Sequence, residues 1–215
     1  MGQLLALYAL PYDEHYPVVC FDARPCFLIG DQVTGLEMKA GRAKREHYAY
    51  EKNGSCALLM AIEPRTAKRE AQVFARRTKR EYALFMKEPA AHYPEAVKIR
   101  VAQDDLNTHS TSPFYEAFSA EEAFALSQRF EVYYTPKSAS WLNMIEIELS
   151  ARSKQCLNRR SASKEELTKE VTAMVKEREE KAIRIAWRFS IESARGKLNR
   201  HYRQVNADNA QYQKT

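Results

Sequence analysis

No CxxC pair occurs in this chain. Its four cysteines, Cys20, Cys26, Cys56 and Cys156, are scattered, which excludes a zinc knuckle or a disulfide framework and fits a reducing cytosol best. The N-terminal stretch MGQLLALYALPYDEHYP has too short an apolar run for a membrane span and lacks the basic start of a signal peptide, so nothing points to secretion. Internal repeats and low-complexity tracts are absent, which sets aside solenoids and sticky linkers. A strong charge bias is missing too: 34 basic against 28 acidic residues leave +6, too modest an excess to specify a polyanionic partner by itself.

What is present is enough for one substantial core, since 45% of the 215 residues are hydrophobic and 11% aromatic. The basic residues also cluster: Arg42 to Arg45, Ala75 to Arg80 (ARRTKR), around Arg159, and RGKLNRHYR near the C-terminus. Such patches attract a phosphate backbone, although each taken alone also reads as the solvated face of a helix or loop.

Along the chain, PVVCF reads as a buried strand that ends at Asp22, and CFLIGD, from Cys26 to Asp31, as a second strand. HYAYEKNGSCALLMAIEP carries two strand-like runs around Asn53-Gly54, the dipeptide of a type I′ turn, and predicts an antiparallel hairpin. Thr78 to Glu88 predicts a helix that Pro89 and Pro94 stop. KIRVAQ is a short strand running into Asp104 and Asp105; SAEEAFALSQRF is a helix capped by Ser119 with Glu122 three positions on. Phe130 to Thr135 is a further strand, and Trp141 to Leu157 a helix with Glu146 on its first turns. Finally, Ser163 caps a long helix from Lys164 to Phe189, with Leu167, Val171, Met174, Val175, Ile183 and Ile185 on its apolar stripe. The order describes an α/β chain, a mixed sheet covered by helices.

Two strands ending in aspartate and a later helix carrying glutamate outline a metal site at one sheet edge. Magnesium takes hard oxygen ligands, and two ions about 3.5 to 4 Å apart serve an in-line displacement at phosphorus. Spacing alone is weak, because 28 acidic residues supply many such triples. Alternation limits the choice: Asp104 and Asp105 cannot both face one site on a regular strand. Glu148 points about 200° around the helix from Glu146.

The wording around the acids is more specific. VVCFDARP (Val18 to Pro25), VAQDDLNTH (Val101 to His109) and YTPKSASWLNMIEIELS (Tyr134 to Ser150) resemble the three catalytic blocks of DDE transposases of the mariner-like bacterial insertion-sequence superfamily. YAYEKNGSCALLMAIEP and HYPEAVKIR extend the likeness over nearly the whole chain. The resemblance implies a ribonuclease H-like mixed β-sheet with an antiparallel hairpin, flanked by α-helices, and a DDE triad of Asp22, Asp104 and Glu146 binding two Mg2+ or Mn2+ ions. It favours Asp104 over Asp105, because relatives usually carry asparagine at the latter position. Ala23 departs from the pattern, as relatives commonly have an acid there. Asn107, His109, Lys137 and Asn143 are candidate accessory residues; for Asn107 and His109, organisation of a loop is an equal reading. Trp141 is a candidate base-stacking residue or a core indole.

The resemblance further implies a metal-dependent endonuclease that cuts and joins DNA at insertion-sequence ends, acting on double-stranded element ends and target as a homodimer. It would work in the cytoplasm at the nucleoid, with no membrane partner and with a separate or fused N-terminal helix-turn-helix segment. The expected organisation is a lead-in or linker at residues 1–16, the catalytic domain with its C-terminal helices at 17–204 and a flexible tail at 205–215. Hydrolysis by a nuclease of the same fold, and a non-catalytic DNA-binding or dimerising remnant, are the alternatives.

Overall fold

The computed structural model describes residues 1–33, 39–41, 47–104, 112–137, 139–155 and 160–197. Val18–Asp31 forms one fourteen-residue strand, β1, where two strands divided at Asp22 were expected. It continues because its far half keeps a partner: β2, Tyr50–Ile62, runs antiparallel to it from Cys20↔Ile62 to Asp31↔Tyr50. The other edge differs. β4, Ile99–Gln103, pairs in parallel with β1 only over Val18 to Cys20. Pro25, with no N–H to donate, therefore sits where β1 has a ladder on one side only, the setting in which strands tolerate proline.

Asn53-Gly54 does not turn the chain. Both residues lie inside β2, and the register slips there from Leu28↔Gly54 to Ile29↔Lys52, so Asn53 is the extra residue of a β-bulge. Gly54 takes the positive φ of 109° that the bulge requires, and Asn53 Nδ2 donates to the Ala162 carbonyl at 2.8 Å. The antiparallel hairpin is the next one along, from β2 into β3, Arg69–Phe74, through a turn in which Ala67 has φ of 70°. With β5, Phe130–Tyr134, parallel to β4, the sheet order is β3-β2-β1-β4-β5.

Helices cover both faces. α2, Lys79–His92, starts where the Thr78 N–H donates to Glu81 Oε2 at 3.1 Å, and it carries Pro89 in its last turn rather than stopping before it. α3, Ser112–Ala117, had no sequence signal strong enough to foresee it. α4, Ala120–Arg129, begins as expected, Ser119 Oγ accepting the Glu122 N–H at 3.3 Å. After a 3-10 turn at Ser140–Leu142 comes α5, Ile145–Gln155. α6, Lys164–Glu180, has the expected cap: Ser163 Oγ accepts the Glu166 N–H at 3.1 Å.

The chain's outer segments add to the core, and one expectation there is corrected. Within residues 1–16, Gly2–Ala9 forms a helix, α1, whose Leu4, Leu5, Leu7 and Tyr8 are buried in the core. The long helix from residue 164 ends at Glu180, and Ala182 takes a φ of 46°. Beyond it the chain is a non-helical strap in which half-buried Ile183, Ile185, Trp187 and Phe189 alternate with exposed Arg184, Ala186 and Arg188. Period two, not 3.6, governs this stretch.

The sheet separates two apolar clusters. Cys20, Met60 and Ala102 face one side with α1, the start of α5 and part of α6; Val19, Phe21, Ala23 and Val101 face the other with α2 and Phe114 of α3. Among the described residues no helix is long and apolar enough to cross a membrane.

Candidate active site

Strand alternation bears on where Asp22 points. Residues of even number on β1 and β4, such as Cys20 and Ala102, belong to the α5 side of the sheet. Asp22 continues the first series, and Asp104 is the first residue past β4. The parallel register sets Cys20 beside Ala102. Asp22 stands two residues past Cys20 and Asp104 two residues past Ala102, just beyond the last pair of this parallel ladder. β1 goes on into its pairing with β2 while β4 ends. The strands therefore part at a fork beyond Cys20 and Ala102, at the carboxyl end of β4, and in open α/β sheets ligands bind at the carboxyl ends of the strands.

Two hydrogen bonds tie the segment that carries Glu146 to β1. Asn143 is buried, and its Nδ2 donates to the Phe21 carbonyl at 2.8 Å, one residue before Asp22. Arg24 Nη1 donates to the Leu149 carbonyl at 3.5 Å. Between these ties lies Glu146, whose N–H is bonded to the Asn143 carbonyl at 3.1 Å. Asp22, Asp104 and Glu146 are all half-buried. Asp22 Oδ1 accepts the Ala23 N–H at 2.7 Å. Among the described residues no three His, Cys, Asp or Glu side chains stand close enough together to hold a metal ion, so Asp22, Asp104 and Glu146 do not form a closed ligand set.

Glu148, the competing acid of α5, has other partners. It is 0% exposed and lies between two guanidiniums: Arg69 of β3 (Nε to Oε1 3.0 Å, Nη2 to Oε2 3.3 Å) and Arg178 of α6 (Nε to Oε1 2.7 Å, Nη2 to Oε2 3.0 Å). Burial alone would raise its carboxyl, but the hydrogen bonds and charges of Arg69 and Arg178 outweigh it and hold the group below its ordinary value. Arg69 also donates to the carbonyls of Ala67 at 2.6 Å and Ile183 at 2.5 Å. The triad locks α5 to β3 and α6. Its signal in the sequence was invisible, because Arg69 and Arg178 are far from Glu148 in number.

Ala23 is buried on the opposite face, in the α2 cluster, so its methyl costs the acidic face no ligand. Lys137 is exposed beyond β5, and Trp141 is half-exposed with its ring edge-on to Phe189 at 5.1 Å between centroids. Asn107, His109 and Asp105 lie outside the described residues, as do the Arg42 to Arg45 patch and Arg159. Of the remaining basic clusters, ARRTKR stands beside the fork: Arg77 Nη1 donates to the Ala23 carbonyl at 3.3 Å.

The family model described as "DDE superfamily endonuclease" matches residues 17–168. No curated protein matches the chain. Among solved structures, the chain is similar to one titled "Crystal structure of the Mos1 Strand Transfer Complex", with a TM-score of 0.53 at 13% identity, covering 99% of this chain and 60% of that one. It is equally similar to "Crystal structure of the mariner Mos1 paired end complex with Mg", with a TM-score of 0.53, 14% identity and the same coverage. "Mos1 transposase paired-end complex with left transposon end" gives 0.51 at 14% identity, covering 84% and 58%. The chain thus spans about three fifths of those chains' length. At such identity the likeness speaks for the fold, a ribonuclease H-like mixed sheet flanked by helices.

Proposed function

The chain belongs to the DDE superfamily endonucleases, and from that premise we propose that it is the catalytic part of a transposase that cuts and joins DNA at insertion-sequence ends. The observation that supports this reading is that β1 and β4 pair in parallel just before Asp22 and Asp104, with α5 tied to the Phe21 carbonyl. We assign Asp22, Asp104 and Glu146 as the residues that would hold two Mg2+ or Mn2+ ions, since three carboxylates offer the hard oxygens those ions take. When bound, such ions supply activation of the attacking oxygen and stabilisation of the leaving oxygen at phosphorus.

The chain's own residues do the positioning. Asn143 holds the start of α5 against β1, the Glu148 triad fixes its next turn, and the Asp22 backbone is held within a long strand. Water and a DNA 3′ hydroxyl differ only as nucleophiles, so one site serves cleavage and strand transfer without a covalent enzyme intermediate. The element-end and target duplexes, a second copy of the chain, a helix-turn-helix segment and work at the nucleoid belong to this proposal. So do accessory roles for Asn107, His109 and Lys137 and a flexible tail at residues 205–215.

A strand-transfer assay with a pre-cleaved end, run beside Mn2+ calorimetry, tests it. The expected result is joined product and metal binding, both lost in Asp22→Ala. Cleavage without joining would reduce the reading to a hydrolytic nuclease. DNA binding with no metal uptake sensitive to Asp22→Ala would leave a non-catalytic remnant.

A further inference from the structure

Arg77 lies in the loop between β3 and α2, and its side chain is exposed, yet it reaches across to the backbone of β1. Its acceptor there is the carbonyl of Ala23, the residue that follows Asp22. A guanidinium carries five N–H donors in a rigid plane, and one neutral carbonyl occupies one of them. Among the described residues Arg77 has no other hydrogen bond and no acidic partner. Its neighbours are differently engaged: Lys79 pairs with Glu116 at 3.0 Å, and Glu81 closes the α2 cap. Within ARRTKR, then, Arg77 is anchored to β1 one residue past Asp22, with no acidic partner among the described residues.

We propose that Arg77 holds a phosphate of the DNA strand lying in the Asp22, Asp104 and Glu146 site, next to the phosphate that is attacked. The inference rests on the function proposed above and adds a substrate contact to it. A guanidinium matches two phosphate oxygens with parallel N–H groups, and the Ala23 carbonyl fixes the plane of the fork before DNA arrives. Preset orientation of that kind is what separates a specific phosphate contact from a mobile surface charge.

The test is the salt dependence of duplex binding by the full chain, with a DNA of about twenty base pairs as probe. Arg77→Gln removes the charge while keeping an N–H donor for Ala23, and Lys176→Ala removes an exposed charge on α6 as the control. One phosphate contact contributes about 0.9 to the slope of log affinity against log salt. Arg77→Gln should therefore lose that much slope and bind about eight-fold more weakly at about 0.1 M salt, converging on wild type toward 1 M. Arg77→Lys should recover the slope but only part of the affinity, because the ammonium lacks the fork. If Arg77→Gln matches Lys176→Ala in slope and affinity, Arg77 is a structural anchor and the inference is overturned while the proposed function stands. If wild type shows no salt-sensitive duplex binding, the proposed function falls and the inference with it.

Discussion

Glu148 gives both oxygens to Arg69 and Arg178, while Glu146, two residues earlier, is half-buried. Removing one partner from a buried charge cluster leaves the others unpaired, so Glu148→Ala should cost about 3 to 5 kcal/mol in urea unfolding. Glu146→Gln should change stability by less than about 1 kcal/mol. The sign of the pH dependence follows from the lowered Glu148 carboxyl. Its stabilisation is complete above the ordinary carboxylate range and is lost as pH falls through the lower folded value. The wild-type urea midpoint should decline as pH falls below about 4, and in Glu148→Gln, which has no carboxyl to titrate there, the decline should be shallower. The choice of Glu146 over Glu148 followed from helix periodicity and the family wording, whereas the partners of Glu148 are long-range and had no local signature.

At the scale of elements, local signals served well where one element decides its own boundaries. The Ser119 and Ser163 caps are sequence-local chemistry, and both are present. Signals failed where a neighbour decides. Asn53-Gly54 suits a turn and a bulge alike, and pairing along β1 selects the bulge. Asp22 read as a strand end because a carboxylate interrupts an apolar run, but β2 carries the strand past it. In the strap, Ile183, Ile185, Trp187 and Phe189 already show a spacing of two, and placing Ile183 and Ile185 on the α6 stripe missed that change of period. The element contact with most bearing on the site is Asn143 against Phe21. Asn143→Ala strips a buried carbonyl of its donor, a loss of about 1 to 3 kcal/mol. If α5 is positioned through it, Mn2+ affinity by calorimetry should fall about ten-fold or more, by analogy with supports behind metal ligands. A stability loss with unchanged metal affinity would reduce Asn143 to a packing residue.

Over the whole molecule, the mixed α/β architecture and the order of most elements were legible, because period and turn chemistry repeat along the chain. The partnership of its distant segments was not. α1 and the strap share one apolar cluster, with the Tyr8 and Trp187 rings edge-on at 5.5 Å between centroids. Trp187→Ala should lower stability by about 3 kcal/mol and make residues 1–16 an early target in limited proteolysis. An unchanged cleavage pattern would show that α1 holds its place without the strap.

That ring pair also sets a timetable for synthesis. A ribosome delivers residue 8 long before residue 187, and α1 offers Leu4, Leu5 and Leu7 to a cluster whose strap residues emerge only after α6. Until then the first helix has an apolar face and an incomplete seat. A nascent chain of this protein should accordingly depend on holdase chaperones, and the acidic face should gain its final shape only once the strap has left the exit tunnel.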